Sequence, residues 1–189
     1  MKRINLIYGK TGTGKTTLVK HLIKDIKRVI VIDMMNEYNS PFIIINDFES
    51  LADYVSNHSS FQISCRFSSE LEIEYTFLLT RIIENVTLVV EEASIYISPG
   101  ARQSSFLDLA RFGRHNNVQI VGVSRRASEL SSDFRALTEY VISLKQTEPL
   151  DLKILSQIGF NGLENLEQFV YTPTQKVPIL NKHYLEKIL

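Results

Sequence analysis

Short bursts of apolar, β-branched residues alternate along this chain with stretches whose apolar positions recur every three to four residues. Six bursts read as strands: Arg3–Tyr8, Arg28–Asp33, Phe61–Phe67, Val86–Glu91, Val118–Ser124 and Tyr140–Lys145, with Phe42–Ile45 as a short seventh. Their near-continuous apolar character suits strands covered by helices on both faces, and it predicts a largely parallel sheet. The intervening stretches carry the helical period. Leu18, Val19, Leu22, Ile23 and Ile26 line one face after the first strand, and Phe48, Leu51, Ala52 and Val55 follow Asp47 at i, i+3, i+4 and i+7. Ser69 with Glu72 three residues on reads as a capping box for a helix carrying Leu71, Tyr75, Leu78, Leu79 and Ile82. Pro149 and Gly159 bracket a further short helix. Beyond Gly162 the pattern thins: Glu167–Tyr171 and Val177–Leu180 read as edge strands, and the last nine residues as a terminal helix.

Composition narrows this α/β picture without redirecting it. At 189 residues, 44% hydrophobic and 22% charged, the chain can bury one sizeable core. With 8 glycines and 5 prolines scattered, no linker stands out, so residues 1–189 are expected to form a single domain. Lys+Arg and Asp+Glu both number 21, which excludes a histone-like wrapping protein or a polybasic membrane binder. Cys65 is alone and forms no internal disulfide. The apolar runs fall far short of the ~20 residues of a membrane span, and no signal peptide is recognisable; a cytoplasmic location is expected.

The candidate chemistry begins between the first strand and the first helix. Gly9-Lys10-Thr11-Gly12-Thr13-Gly14-Lys15-Thr16 matches GxxxxGK[ST] in full, with Thr17 next to it. Glycines allow backbone N–H groups to turn inward around phosphate oxygens, and the positive end of the following helix strengthens that field. Lys15 would reach the β- and γ-phosphates of ATP, and the Thr16 hydroxyl would ligate Mg²⁺. A second element is the apolar strand ending in Glu91-Glu92. Side chains alternate along a strand, so one of two neighbouring acids follows the pleat and the other is presented as the chain leaves the sheet. Glu91 is assigned to the metal and Glu92 to the attacking water.

With these residues in place, the chain resembles the FtsK/HerA superfamily of P-loop ATPases, above all the small genome-packaging ATPases of tailless, membrane-containing viruses and prophages. Beyond the phosphate loop, three segments carry the resemblance: Val31-Ile32-Asp33-Met34-Met35-Asn36-Glu37-Tyr38, Arg111-Phe112-Gly113-Arg114-His115-Asn116-Asn117-Val118, and Ser124-Arg125-Arg126-Ala127-Ser128-Glu129-Leu130, the last followed by Tyr140–Lys145 and Glu148-Pro149-Leu150-Asp151-Leu152. The resemblance implies a RecA/HerA-like α/β fold and an ATP hydrolase that moves DNA through a homo-oligomeric ring, with contacts to the DNA backbone and, in a virion, to capsid or membrane proteins. It also implies that Arg114 acts as an arginine finger on a neighbouring subunit. Arg125 stands where the superfamily commonly has a γ-phosphate-sensing Gln, so Arg125 or Ser124 would fill that role. Three other readings stay open: a filamentous-phage assembly ATPase of the zonula-occludens-toxin type, a small-molecule kinase, and a nucleotide-gated binding module. Charge is uneven: residues 101–126 carry a net +4 and residues 67–92 a net −5, which suits a basic face and head-to-tail assembly. Asp33, Glu37 and Tyr38 read chiefly as a strand ending.

Overall fold

The computed structural model describes residues 3–99, 104–165 and 179–181. Among the described residues eight strands form one sheet: β1 (Ile4–Tyr8), β2 (Arg28–Ile32), β3 (Ile43–Ile45), β4 (Phe61–Cys65), β5 (Thr87–Val90), β6 (Gln119–Ser124), β7 (Tyr140–Ser143) and β8 (Ile179–Asn181). Their order is β3-β4-β2-β5-β6-β1-β7-β8. The first seven are mutually parallel, and β8 pairs with β7 antiparallel. The parallel sheet and an antiparallel strand towards the C-terminus therefore agree with the sequence pattern. The expected strand Glu167–Tyr171, the terminal helix and Arg102 lie outside the described residues.

Alternation along each strand divides the apolar residues between two cores. Ile4, Leu6 and Tyr8 of β1 and Ile30 and Ile32 of β2 face one side; Ile7, Val29 and Val31 face the other. The first side is covered by α2 (Phe48–Asn57), α3 (Glu70–Ile82), α4 (Ser105–Phe112), α5 (Ser132–Leu137) and α6 (Pro149–Ser156). The second is covered by α1 (Lys15–Ile23), through Leu18, Val19 and Ile23. The helices start where local chemistry dictates. The Asp47 carboxylate accepts the Ser50 N–H at 2.8 Å, the Ser69, Ser104 and Ser131 hydroxyls cap α3, α4 and α5, and Pro149 opens α6.

Two local expectations are corrected. The capping box at Ser69 is only half formed: Ser69 accepts the Leu71 N–H, but Glu72 Oε1 accepts from the Phe48 N–H and so ties α3 to the start of α2. Of the expected α3 stripe only Leu79 packs against the core, half-buried; Leu71, Tyr75, Leu78 and Ile82 do not form the packed stripe. They are exposed, Ile82 by 71%, and the buried stripe is Ile73, Thr76, Phe77 and Thr80. The rings of Phe77 and Phe106 stack at 4.9 Å and lock this face onto α4.

In a sheet whose parallel strands all end at the same edge, a crevice opens where successive helices depart to opposite faces. Here that place is β1: its following helix α1 lies on one face, whereas α4 and α5, which lead into and out of its neighbour β6, lie on the other.

Candidate nucleotide site

The loop from Gly9 to Thr16 leaves β1 at that crevice. Each end of the loop is anchored: the Leu144 N–H donates to the Tyr8 carbonyl at 2.8 Å, and α1 begins directly at Lys15. Gly12 and Gly14 have φ of +78° and +86°, a region where a side chain would be strained. A Cβ on Gly9 would lie 2.6 Å from Thr13 Oγ1 and 2.9 Å from Leu144 Cβ, so the turn closes only around glycine. The Thr13 hydroxyl donates to the Lys10 carbonyl at 2.7 Å, and Lys15 Nζ donates to the same carbonyl at 3.1 Å. Gly14 is the N-cap of α1 and offers no side-chain acceptor, so the first-turn N–H groups remain available to an anion.

A cavity of about 300 Å³ lies over this turn, lined by Thr11, Gly12, Lys15, Thr16, Glu37, Glu91 and Glu92 among others. It brings together the phosphate loop and both acids at the end of β5. Burial holds the Lys15 ammonium below its usual range, although Glu92 and Glu91 favour its charge. Glu91 is only 5% exposed; burial pushes its carboxyl up to about 7 against the hydrogen bond from Tyr38, whose hydroxyl donates to Oε1 at 2.5 Å. Glu92 leaves the sheet in a left-handed turn, φ +48°, and its carboxylate pairs with Arg125 Nε at 3.4 Å. The pair thus separates as alternation requires, one acid buried at the sheet edge and one presented by the turn.

Arg125 arrives from the end of β6, which lies beside the end of β1 through Tyr8↔Ser124. Its turn is braced from behind. Asp151, fully buried at the start of α6, accepts from Arg126 Nε at 3.0 Å and from the Ser128 N–H at 2.8 Å, and Gln146 donates to the Arg125 carbonyl. Ala127 opens a 3-10 turn there and is itself buried. Arg114 is placed elsewhere. It belongs to the 3-10 turn Gly113–Asn116 that precedes β6, beside Val86 and Asn85 at the opposite edge of the sheet. The basic run of residues 101–126 is therefore not one patch: the six residues of β6, roughly 16–20 Å of strand, separate Arg114 from Arg125. Arg111 pairs with Asp133 and Asp108, and Arg126 with Asp151 and Glu148.

The stretch that read as a strand ending belongs to the site. Asp33 is fully buried and its carboxylate accepts from the Glu37 and Tyr38 N–H groups and the Ser64 hydroxyl, with Arg66 Nε at 3.4 Å. That anchorage carries Glu37 to Thr16, whose hydroxyl donates to Glu37 Oε2 at 2.5 Å, while Lys20 Nζ holds the Glu37 carbonyl at 2.7 Å. The signal was present in the sequence as an Asp four and five residues before an acid and a tyrosine. Nothing in the spacing says that the turn folds towards α1.

A glycine cradle with open amides, a half-buried lysine and facing carboxylates fit a nucleoside triphosphate with its divalent cation. The comparison with known proteins agrees. Residues 1–172 match the family model described as "Helicase HerA, central domain". The chain belongs to that family. It is thus a P-loop NTPase of the HerA/FtsK type. Among solved structures, the HerA-type fold recurs in the genome packaging NTPase B204 from Sulfolobus turreted icosahedral virus 2. That protein in complex with AMPPCP superposes with a TM-score of 0.74 at 15% identity over 95% of this chain and 97% of that one. Its complex with ATP-gammaS gives 0.73 at 17% identity over the same shares. The N-terminal domain of zonular occludens toxin from Neisseria meningitidis gives 0.53 at 17% identity over 78% of each chain. At such identities the superpositions speak for the fold. Among curated proteins none matches this chain significantly.

Proposed function

We propose that this HerA-type chain is a single-domain ATP hydrolase that drives DNA through a ring of identical subunits, in the manner of viral genome packaging. The observation that carries this reading is the meeting of the phosphate loop with two differently placed carboxylates around one cavity. Lys15 and the open amides of α1 would hold the phosphates, and Thr16 with Glu91 would hold the Mg²⁺, which would supply charge neutralisation to the triphosphate. Glu92, free of the sheet, orients a water for attack in line with the γ-phosphoryl group and accepts its proton. Arg125, beside Glu92, is placed to sense the γ-phosphate in the superfamily's glutamine position, with a planar cation in place of an amide.

Arg114 lies before the start of β6, at the far end of that strand from this cavity, so as a finger it would serve the nucleotide of another subunit. That placement supports a finger acting between subunits in a ring. DNA would be held through its phosphates without reading sequence, and the protein would work in the cytoplasm or with a virion's capsid or membrane proteins. Among the described residues no helix is long and apolar enough to cross a membrane. The test is ATP turnover with and without DNA across a salt series, beside a panel of metabolite acceptors. Stimulation by DNA that is indifferent to sequence and falls steeply with salt supports translocation; transfer to a metabolite hydroxyl makes the protein a kinase.

A further inference from the structure

The acid that Thr16 addresses is not one of the pair at the end of β5. We propose that Glu37, carried by the turn after β2, is the positioning residue that orients the Thr16 hydroxyl towards the Mg²⁺. The inference rests on the ATP-site reading above and adds to it a residue from a different strand.

The chemistry starts from what a threonine hydroxyl can do. It has one proton to donate and two lone pairs to offer, so it can ligate a cation through a lone pair only when its proton is directed elsewhere. In this structure the proton has a defined acceptor, Glu37 Oε2, at 2.5 Å. Glu91 is engaged differently: its Oε1 accepts from Tyr38, and the carboxyl is almost wholly buried. Adjacent residues Glu37 and Tyr38 therefore touch the two halves of the metal site, one through Thr16 and the other through Glu91.

The turn that does this is built rather than loose. Asn36 adopts a φ of +56°, which reverses the chain, and the backbone N–H groups of Glu37 and Tyr38 both end on Asp33. Asp33 is in turn held by Ser64, and the Arg66 guanidinium, through Nη2, donates to the Tyr38 carbonyl at 2.9 Å. From the other side Lys20, on α1, grips the Glu37 carbonyl. The acid is thus fixed relative to both β2 and α1, the arrangement expected of an outer partner that orients a metal ligand.

Mn²⁺ serves as the probe, read by electron paramagnetic resonance with AMPPCP present; binding of AMPPCP in EDTA is measured separately by calorimetry. Glu37→Gln should raise the Mn²⁺ dissociation constant about 10–100-fold, the range for loss of a partner behind a metal ligand, while metal-free nucleotide affinity stays within about twofold. Glu37→Asp should recover part of the loss. A cycle with Thr16→Val should be non-additive, because without the hydroxyl Glu37 has nothing to orient. Thermal midpoints of all variants guard against misfolding, and if Glu37→Gln does not fold, the Glu37→Asp arm and the Thr16 cycle carry the decision. Unchanged Mn²⁺ binding in Glu37→Gln, or strict additivity with Thr16→Val, overturns the inference and leaves the ATP site standing. Failure of the wild-type chain to bind AMPPCP at all overturns both.

Discussion

α1 and α3 lie on opposite faces of the sheet, and each buries one side of itself, yet the two were not equally readable. In α1 the apolar residues form a single stripe, so Leu18, Val19 and Ile23 had only one way to face. α3 has two stripes. Leu71, Tyr75, Leu78 and Ile82 repeat every three to four residues, and so do Ile73, Thr76, Phe77 and Thr80. The second stripe looks less apolar but is the one buried. Its threonines can be enclosed because each hydroxyl donates back along the helix, Thr76 to the Glu72 carbonyl at 2.8 Å and Thr80 to the Thr76 carbonyl at 2.7 Å. With the polar atoms satisfied locally, what faces the sheet is methyl groups, and the Phe77 ring decides the orientation. Periodicity says that a segment is a helix; it chooses a face only when one stripe exists.

The comparison can be broken from either side. The largest effect belongs to α1: Lys15→Ala should abolish ATP hydrolysis and weaken ATP binding while the thermal midpoint barely moves, because this side chain serves the ligand and not the core. Calorimetry with ATP, beside a turnover assay and a melting curve, reads all three. Across the same cavity, Glu92→Gln should keep Mg-ATP and lose about 10²–10⁴-fold in turnover. A Glu92→Gln variant that hydrolyses ATP at the wild-type rate would remove the acid from the water-positioning role.

On α3 the expected effects are on stability alone. Phe77→Ala should destabilise by about 3–5 kcal/mol in urea unfolding, since it empties a stacked core position. Glu91 comes next, and its effect depends on pH. Its carboxyl titrates near 7 in the metal-free fold against 4.5 as its ordinary value, so the folded state favours the protonated form. The stability this contributes is complete below about pH 4.5 and is lost as pH rises through 7, a difference on the order of 3 kcal/mol. Unfolding of wild type and Glu91→Gln, compared at pH 5 and pH 8 without metal, should therefore diverge, the variant keeping more stability at pH 8. The smallest effect is assigned to Ile82→Ser, within about 0.5 kcal/mol of wild type. If Ile82→Ser costs as much as Phe77→Ala, the buried face of α3 has been misassigned.

Most of the fold and the residues that line the candidate site were legible in the sequence, for reasons that can be located. Strands β1, β2, β4, β5, β6 and β7 each announce themselves by a β-branched burst, and the loop from Gly9 to Thr16 is readable from its spacing because its backbone turns only around glycine. Glu91 and Glu92 were legible as neighbours at a strand end. What stayed hidden depends on contacts between distant segments. Glu37 belongs to the site only because Asp33 folds its turn towards α1, and Asp151 braces Arg125 from a helix that starts 24 residues beyond Arg125 in the sequence. Arg114 shows the same limit from the other direction. It stands eleven residues before Arg125, but a parallel strand between them sends the two to opposite edges.

The strand order has a consequence for how the chain is made. β1 leaves the ribosome well before both of its hydrogen-bonding neighbours, β6 and β7; Asn5 and the Ile120 carbonyl it bonds are 115 residues apart. At ~5–20 residues per second, that separation is a delay of roughly 6–25 s, during which the phosphate loop exists without the strands that shape it. Closing so long a loop is also an entropic demand met only when the non-local pairs form together. The loop after β1 therefore cannot take its folded shape until Leu144 and Lys145 have emerged, because the Leu144 N–H donates to the Tyr8 carbonyl and the Lys10 N–H to the Lys145 carbonyl.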